Sequence, residues 1–226
     1  MNRRTSIAIA AVGLVTGCVL GALVFRREIA TYLFDRELMR EIKQFDPSKQ
    51  SWVECAIPLP DPSYRLVFLE RRIHPMLAEY DYMVRFRSPG LAEAKRPLPT
   101  NTGGRTGMNV YWYSSSGEGG PYLRLQDKDG ETLVDFQKSR TRRMLRIGGA
   151  VYAGDLAGDP NSYGALESHG ELEVSIGDQP AEQVTEGYAT RPGTYLGRID
   201  GQDAPLRFIP ATKAAERTIE MRSPFP

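Results

Sequence analysis

The chain reads as mainly β: an N-terminal transmembrane helix and a short amphipathic stalk, followed by an antiparallel β-sandwich. Three observations lead there. Ile7 to Phe25 carries no charged side chain and is closed by Arg3-Arg4 on one side and Arg26-Arg27 on the other. A helical repeat of apolar residues runs on to about Phe45. Beyond Pro47 the repeat shortens to two, and turn residues break the chain at the spacing expected of a sandwich or barrel.

The first segment is the anchor, residues 1–26. Its uncharged core would span roughly 28 Å as a helix, close to the ~30 Å hydrocarbon layer of a bilayer. Gly13, Gly17 and Gly21 recur every four residues on one face, a spacing that lets two helix backbones approach in lipid. A homodimer seam is the sharper reading of that stripe, and the ordinary abundance of glycine in membrane helices is the plainer one. Val15-Thr16-Gly17-Cys18 also fits a lipoprotein signal with Cys18 as the acylated residue. The chain stays apolar after Cys18, which favours the uncleaved anchor. The expected location is a bacterial-type inner membrane, crossed once, with the C-terminal domain outside the cytoplasm.

Residues 27–50 form the stalk. Ile29, Leu33, Leu38, Ile42 and Phe45 repeat at helical intervals while acids and bases alternate elsewhere, and Pro47 marks the end.

Residues 51–226 form the sandwich. Val53, Cys55, Ile57 and Leu59 alternate with other residues as the first strand. Arg65–Arg71 is the second, and Tyr80, Tyr82, Val84 and Phe86 against Asp81, Arg85 and Arg87 the clearest half-buried one. Asn109–Tyr113 follows. Tyr122–Leu125 and Thr132–Phe136 flank Asp127-Lys128-Asp129-Gly130, a strong hairpin turn. Met144–Ile147, Leu172–Ile176, Tyr195–Ile199, Leu206–Ile209 and Thr218–Met221 complete the set, with a helical turn around Thr212–Arg217. Two stretches read as long connections: Ser88–Gly107, with Pro89, Pro97 and Pro99, and glycine-rich Gly148–Gly170 with a short strand at Val151-Tyr152.

Charge is balanced over the domain, which argues against a nucleic-acid partner. It is also segregated. Lys138, Arg140, Arg142, Arg143 and Arg146 lie within nine residues, whereas Ile147–Thr190 has eight acids and no lysine or arginine. The plain reading is of faces that partly neutralise each other. The sharper one is a basic edge for an anionic partner, formed by Arg140, Arg142 and Arg143.

Catalytic chemistry is hard to place. His74 and His169 are the only histidines, each beside a turn residue, and no zinc-ligand spacing, nucleophile elbow or phosphate loop occurs. Cys18 falls in the lipid span and Cys55 on the apolar side of a strand, so no disulfide is expected. Tyr111 and Tyr113 face opposite to Val110 and Trp112. If exposed, the two rings would form a platform for a sugar or a protein partner; the plainer reading buries them under a loop. The expected activity is therefore non-catalytic recognition of a protein or envelope component, without cofactor or metal, possible forms being an inhibitor or immunity role. The alternative is glycan binding or processing in the envelope.

Overall fold

The computed structural model describes residues 32, 34–75, 77, 79–102, 107–114, 119–128, 130–147, 149–156, 161, 163–168, 171–177, 179–185, 193–201 and 205–218. The anchor with Gly13, Gly17, Gly21 and Cys18 lies outside the described residues, as does His169. Among the described residues, no helix is long and apolar enough to cross a membrane.

The chain divides into two compact units, Met1–Phe45 and Asp46–Pro226. In the first, residues 34–44 are α-helical, as the stalk periodicity predicts. Leu38 and Ile42 of the expected stripe are half-buried, while Phe34 and Met39 stand exposed. Past the helix, Asp46 caps a short 3-10 turn at Pro47–Lys49, its carboxylate accepting from the Ser48 backbone N–H.

The second unit is mainly β, and every strand pairing in it is antiparallel. Four strands form one sheet in sequence order: β1 (Val53–Ile57), β2 (Arg65–Arg72), β3 (Glu79–Arg87) and β4 (Ala94–Thr102). A meander of five follows: β5 (Met108–Tyr113), β6 (Tyr122–Asp127), β7 (Gly130–Asp135), β8 (Arg140–Ile147) and β9 (Ala150–Asp155). Next come β10 (Tyr163–Ser168), β11 (Glu171–Ile176) and the two-residue strands β12 (Gln179–Pro180) and β13 (Glu182–Gln183). The last two are β14 (Thr194–Asp200) and β15 (Arg207–Pro210). The meander grows into an eight-stranded sheet, β13-β9-β8-β7-β6-β5-β14-β15, while β10-β11-β12 stands as a three-stranded sheet.

One core joins all three sheets. Phe68, Val84 and Phe86 from the first meet Val110, Trp112, Leu123, Val134 and Leu145 from the large one, with Val174 and Ile176 from the small one. Phe136 is its hub, packed edge-on against Phe86 at 5.5 Å and Tyr64 at 5.2 Å and tilted against Trp112 at 5.7 Å. Sheets meeting face to face across a shared apolar layer are consistent with a β-sandwich. The large sheet departs from the simple pattern in having a second apolar cluster, Leu133, Met144, Val151, Ala153 and Val184, on its far face. Its central strands are therefore buried on both sides, and β7 shows no alternation of exposure.

Both stretches read as long connections contain strands. Residues 94–102 pair with β3 as β4 despite Pro97 and Pro99. Proline is tolerated there because β4 is an edge strand, where a missing N–H leaves no ladder bond unmade. In the second stretch, the short strand expected at Val151-Tyr152 is the longer β9, and β10 follows where a loop was expected. The expected Tyr195–Ile199 strand carries a bulge between Tyr195 and Gly197. Gly197 has φ +145°, and a Cβ there would run into the Ile209 carbonyl oxygen, so β15 pairs closely only with glycine at that point. Thr218 is irregular, and the rest of the Thr218–Met221 strand lies outside the described residues.

Candidate functional site

The far face of the large sheet is where polar chemistry collects. Strand alternation and the observed register set its rows. Tyr111 of β5 lies opposite Arg124 of β6, Arg124 opposite Leu133 of β7, and Leu133 opposite Arg142 of β8, which pairs with Asp155 of β9. In adjacent rows Gln126 sits opposite Glu131, and Asp135 opposite Arg140. The two-residue turn predicted at 128–129 sets that register, since Asp127 pairs with Gly130.

Two centres emerge. The first is interior. Glu131, 1% exposed, accepts from Gln126 Nε2 at 3.1 Å and Arg146 Nη2 at 3.1 Å, and faces Arg124 Nη1 at 3.9 Å. The Arg124 guanidinium lies over the Tyr111 ring at 4.5 Å and the Tyr113 ring at 5.5 Å. Tyr111 is itself buried, its hydroxyl 2.6 Å from Glu216 Oε1 and 3.0 Å from Gln126 Oε1. One phenolic proton serves one of these acceptors at a time, and the charged, nearer carboxylate is the stronger. The segment bearing Glu216 is clasped by Asn109, whose amide donates to the Arg217 carbonyl at 2.7 Å and accepts from the Arg217 N–H at 3.3 Å. Burial, reinforced by Glu216, raises the Tyr111 pKa above its ordinary value; burial also raises that of Tyr113.

The second centre is a cleft of about 310 Å³ at the other end of the same face. Arg140, Arg142, Gly154, Asp155, Pro180 and Glu182 line it. It exists because one short segment serves two sheets. Gln179–Pro180 pairs with β11, the Ala181 N–H reaches the Val174 carbonyl at 2.8 Å, and Glu182–Gln183 then pairs with β9. The sheets part at this fork, and β8 contributes two arginines to the opening. Arg142 is buried, with Nη2 2.9 Å from Glu182 Oε2 and 3.2 Å from the Ala153 carbonyl, and Nε 3.5 Å from Asp155 Oδ1. Arg140 Nη1 is 3.1 Å from both Asp155 oxygens, and its Nε 3.4 Å from Asp135. Burial works against the Arg140 charge, but Asp155 and Asp135 outweigh it and raise its pKa. The carboxylates facing Arg142 are far more open than Arg142: the Glu182 side chain is 80% exposed and that of Asp155 48%.

The candidate residues named from sequence separate accordingly. Arg140 and Arg142 meet at the cleft, joined to Asp155 and Glu182 of the acidic stretch. Arg143 does not join them. Alternation turns it to the opposite face, opposite Thr132, where it is 1% exposed beside Gly130. Tyr111 and Tyr113 share the far face, yet Arg124 covers them and Tyr111 offers almost no surface. The open platform that a sugar ring needs is absent at Tyr111. Sequence reasoning did not single out Arg124, Glu131, Asp155 or Glu182 as site residues. The signal for the first two was a charged residue on each arm of a hairpin whose turn fixes the register. Among the described residues, no group of three or more histidine, cysteine, aspartate or glutamate side chains is placed to hold a metal ion.

No family model, curated protein or solved structure matches this chain.

Proposed function

We propose that this protein is a non-catalytic recognition module that engages a protein partner through the cleft between β8, β9 and the 179–183 segment. On this reading the uncharged segment 7–25 holds the domain at a bacterial-type inner membrane, outside the cytoplasm, with Gly13, Gly17 and Gly21 as a packing seam. The supporting observation is the asymmetry around Arg142. Its guanidinium is sunk in the sheet and held by a backbone carbonyl, whereas the acids facing it come from the solvent side. A rigid, buried donor fork with exposed acceptors is pre-organised for an exchanged oxyanion at little ordering cost. The glycan alternative has less support, because it needed open ring faces at Tyr111 and Tyr113.

Site-directed photo-crosslinking in cells tests the reading. A photoreactive residue at position 179 should give one discrete protein adduct, lost in Arg142→Gln, while the same group at exposed Val53 on β1 should not. Adducts of equal yield from both positions, or none from 179, refute it. A reporter fused after Pro226 tests the side of the membrane. Acyl labelling that disappears in Cys18→Ala would replace the anchor by a lipoprotein.

A further inference from the structure

The fork cleft already contains a ligand of a kind: a glutamate presented by an extended peptide. Gln179, Pro180, Glu182 and Gln183 are exposed, with Ala181 partly so, and the segment crosses the opening in strand conformation. Its tie to Arg142 is one contact at 2.9 Å from a side chain that is 80% exposed. Glu182 can swing into water at small cost because Asp155 stays 3.5 Å from Arg142 Nε, so the buried charge keeps a carboxylate, and the Ala153 carbonyl keeps the guanidinium in place.

We propose that the cleft binds an extended acidic segment of a protein partner, whose aspartate or glutamate carboxylate takes the place of Glu182 on Arg142. This rests on the recognition reading above and names its ligand. Three features select that chemistry. Arg142 presents a planar fork, which suits a carboxylate in two-pronged contact. Asp135 and Asp155 remain on Arg140 beside it, so the opening tolerates one added negative charge better than the two of a phosphate. Between these charged groups the lining is small, Ala153, Gly154 and Pro180, and the opening of about 310 Å³ has space for a few residues of chain.

The probe is the acetylated, amidated pentapeptide copying residues 179–183, fluorescein-labelled and titrated by anisotropy with the full-length protein in detergent. Glu182→Gln removes the internal competitor and should bind it about two- to fivefold tighter than wild type, the range set by the strength of an exposed ion pair. Glu54→Gln, which removes an exposed charge on β1 of the four-stranded sheet, outside the cleft lining, should leave binding unchanged. Arg142→Lys keeps the charge but loses the fork, and should weaken binding about tenfold. The same peptide with glutamine for its glutamate should not compete, and a free C-terminal carboxylate on that neutral peptide should not restore competition. The proposal is overturned if Glu182→Gln binds no tighter than wild type, if Glu54→Gln tightens binding equally, or if the neutral peptide competes. Inorganic phosphate displacing the probe more effectively than acetate overturns it too. Should no acidic peptide bind while the position-179 crosslink persists and still requires Arg142, the ligand class falls and the recognition reading stands. Loss of both removes both.

Discussion

Replacing Glu131 with alanine should be among the most damaging single changes in the domain, and the reason is Arg124 rather than Glu131 itself. Glu131 is the carboxylate between two arginines of very different exposure: Arg124 has a side chain 7% exposed, that of Arg146 35%. Without Glu131, Arg146 can turn to water, and its loss is that of a partly exposed pair, up to about 1 kcal/mol. Arg124 has no such route. It would remain buried against the tyrosine rings with its charge unmatched, and breaking a buried pair from one side costs about 3–5 kcal/mol. Gln126 would lose its acceptor as well. The Arg124 cost alone, about 3–5 kcal/mol, is a large part of the 5–15 kcal/mol typical of a domain. With a urea slope of about 2 kcal/mol per molar, the midpoint should fall by roughly 1.5–2.5 M. The transition can be followed through the fluorescence of Trp112, which sits in the core. The double variant Arg124→Met, Glu131→Met should recover to within about 1 kcal/mol of wild type, since apolar groups of similar volume remove both desolvation costs. A double variant as unstable as Glu131→Ala, or a single variant within 1 kcal/mol of wild type, would refute the uncompensated-charge argument.

Further outcomes follow from individual contacts. Gly130 has φ +132°, and a Cβ there would lie 2.8 Å from Arg143 Nη2, so Gly130→Ala should cost at least about 1 kcal/mol and lower Tm by roughly 2–4 °C in a melting scan. Burial pushes the Cys55 thiol from 9.0 up to about 11, so near pH 8 the native protein in a Cys18→Ala background should alkylate about a hundredfold more slowly than the urea-unfolded chain. Tyr111→Phe should free the segment around Glu216, seen as faster trimming by carboxypeptidase, at a stability cost of about 1–2 kcal/mol. The tyrosines Tyr111, Tyr113 and Tyr195 all titrate above their ordinary value in the fold, so their stabilisation is complete below about pH 10 and is lost as pH rises beyond it, when the unfolded chain releases protons the native state keeps; the slope should be shallower in Tyr111→Phe. Gly17→Leu should weaken self-association of the membrane segment in a two-hybrid membrane reporter, and an unchanged signal counts against the seam.

How far the sequence announces this architecture depends on whether a strand is buried on one face or two. Alternation marked β3 clearly, because Tyr82, Val84 and Phe86 enter the core while Asp81, Arg85 and Arg87 face outward. It marked the β6–β7 hairpin because the turn chemistry and the flanking apolar residues agree. It failed at β4, where prolines imitate a loop and only the edge position makes them harmless. It truncated β8 to its last four residues, because Arg140, Arg142 and Arg143 resemble a solvated charge run. In the fold these alternate faces as strand residues do, and two of them are buried. The orientation of Val110 and Trp112 into the core was legible from a period of two. The burial of Tyr111 was not, since the segment that reaches it is about a hundred residues away and is held by scattered contacts from Asn109, Tyr111 and Tyr195.

The cleft was the least legible part for a related reason. It is made by a change of allegiance, not by a motif: two residues bond one sheet, the next two bond another, and neither pair is long enough to show a period. Yet the segregation of charge did carry its outline. Basic residues on β8 and acids between 155 and 182 are drawn together because β9 and β13 lie successively beside β8 in the sheet. Arg140 and Arg142 pair in this way with Asp155 and Glu182, whereas Arg146 of the same basic run pairs with Glu131 instead. What is left over is positional. Arg142 is buried and its glutamate is not, and Asp155 stays with Arg142 when that glutamate swings into water, which is why this pair is the one proposed to exchange with a partner's carboxylate.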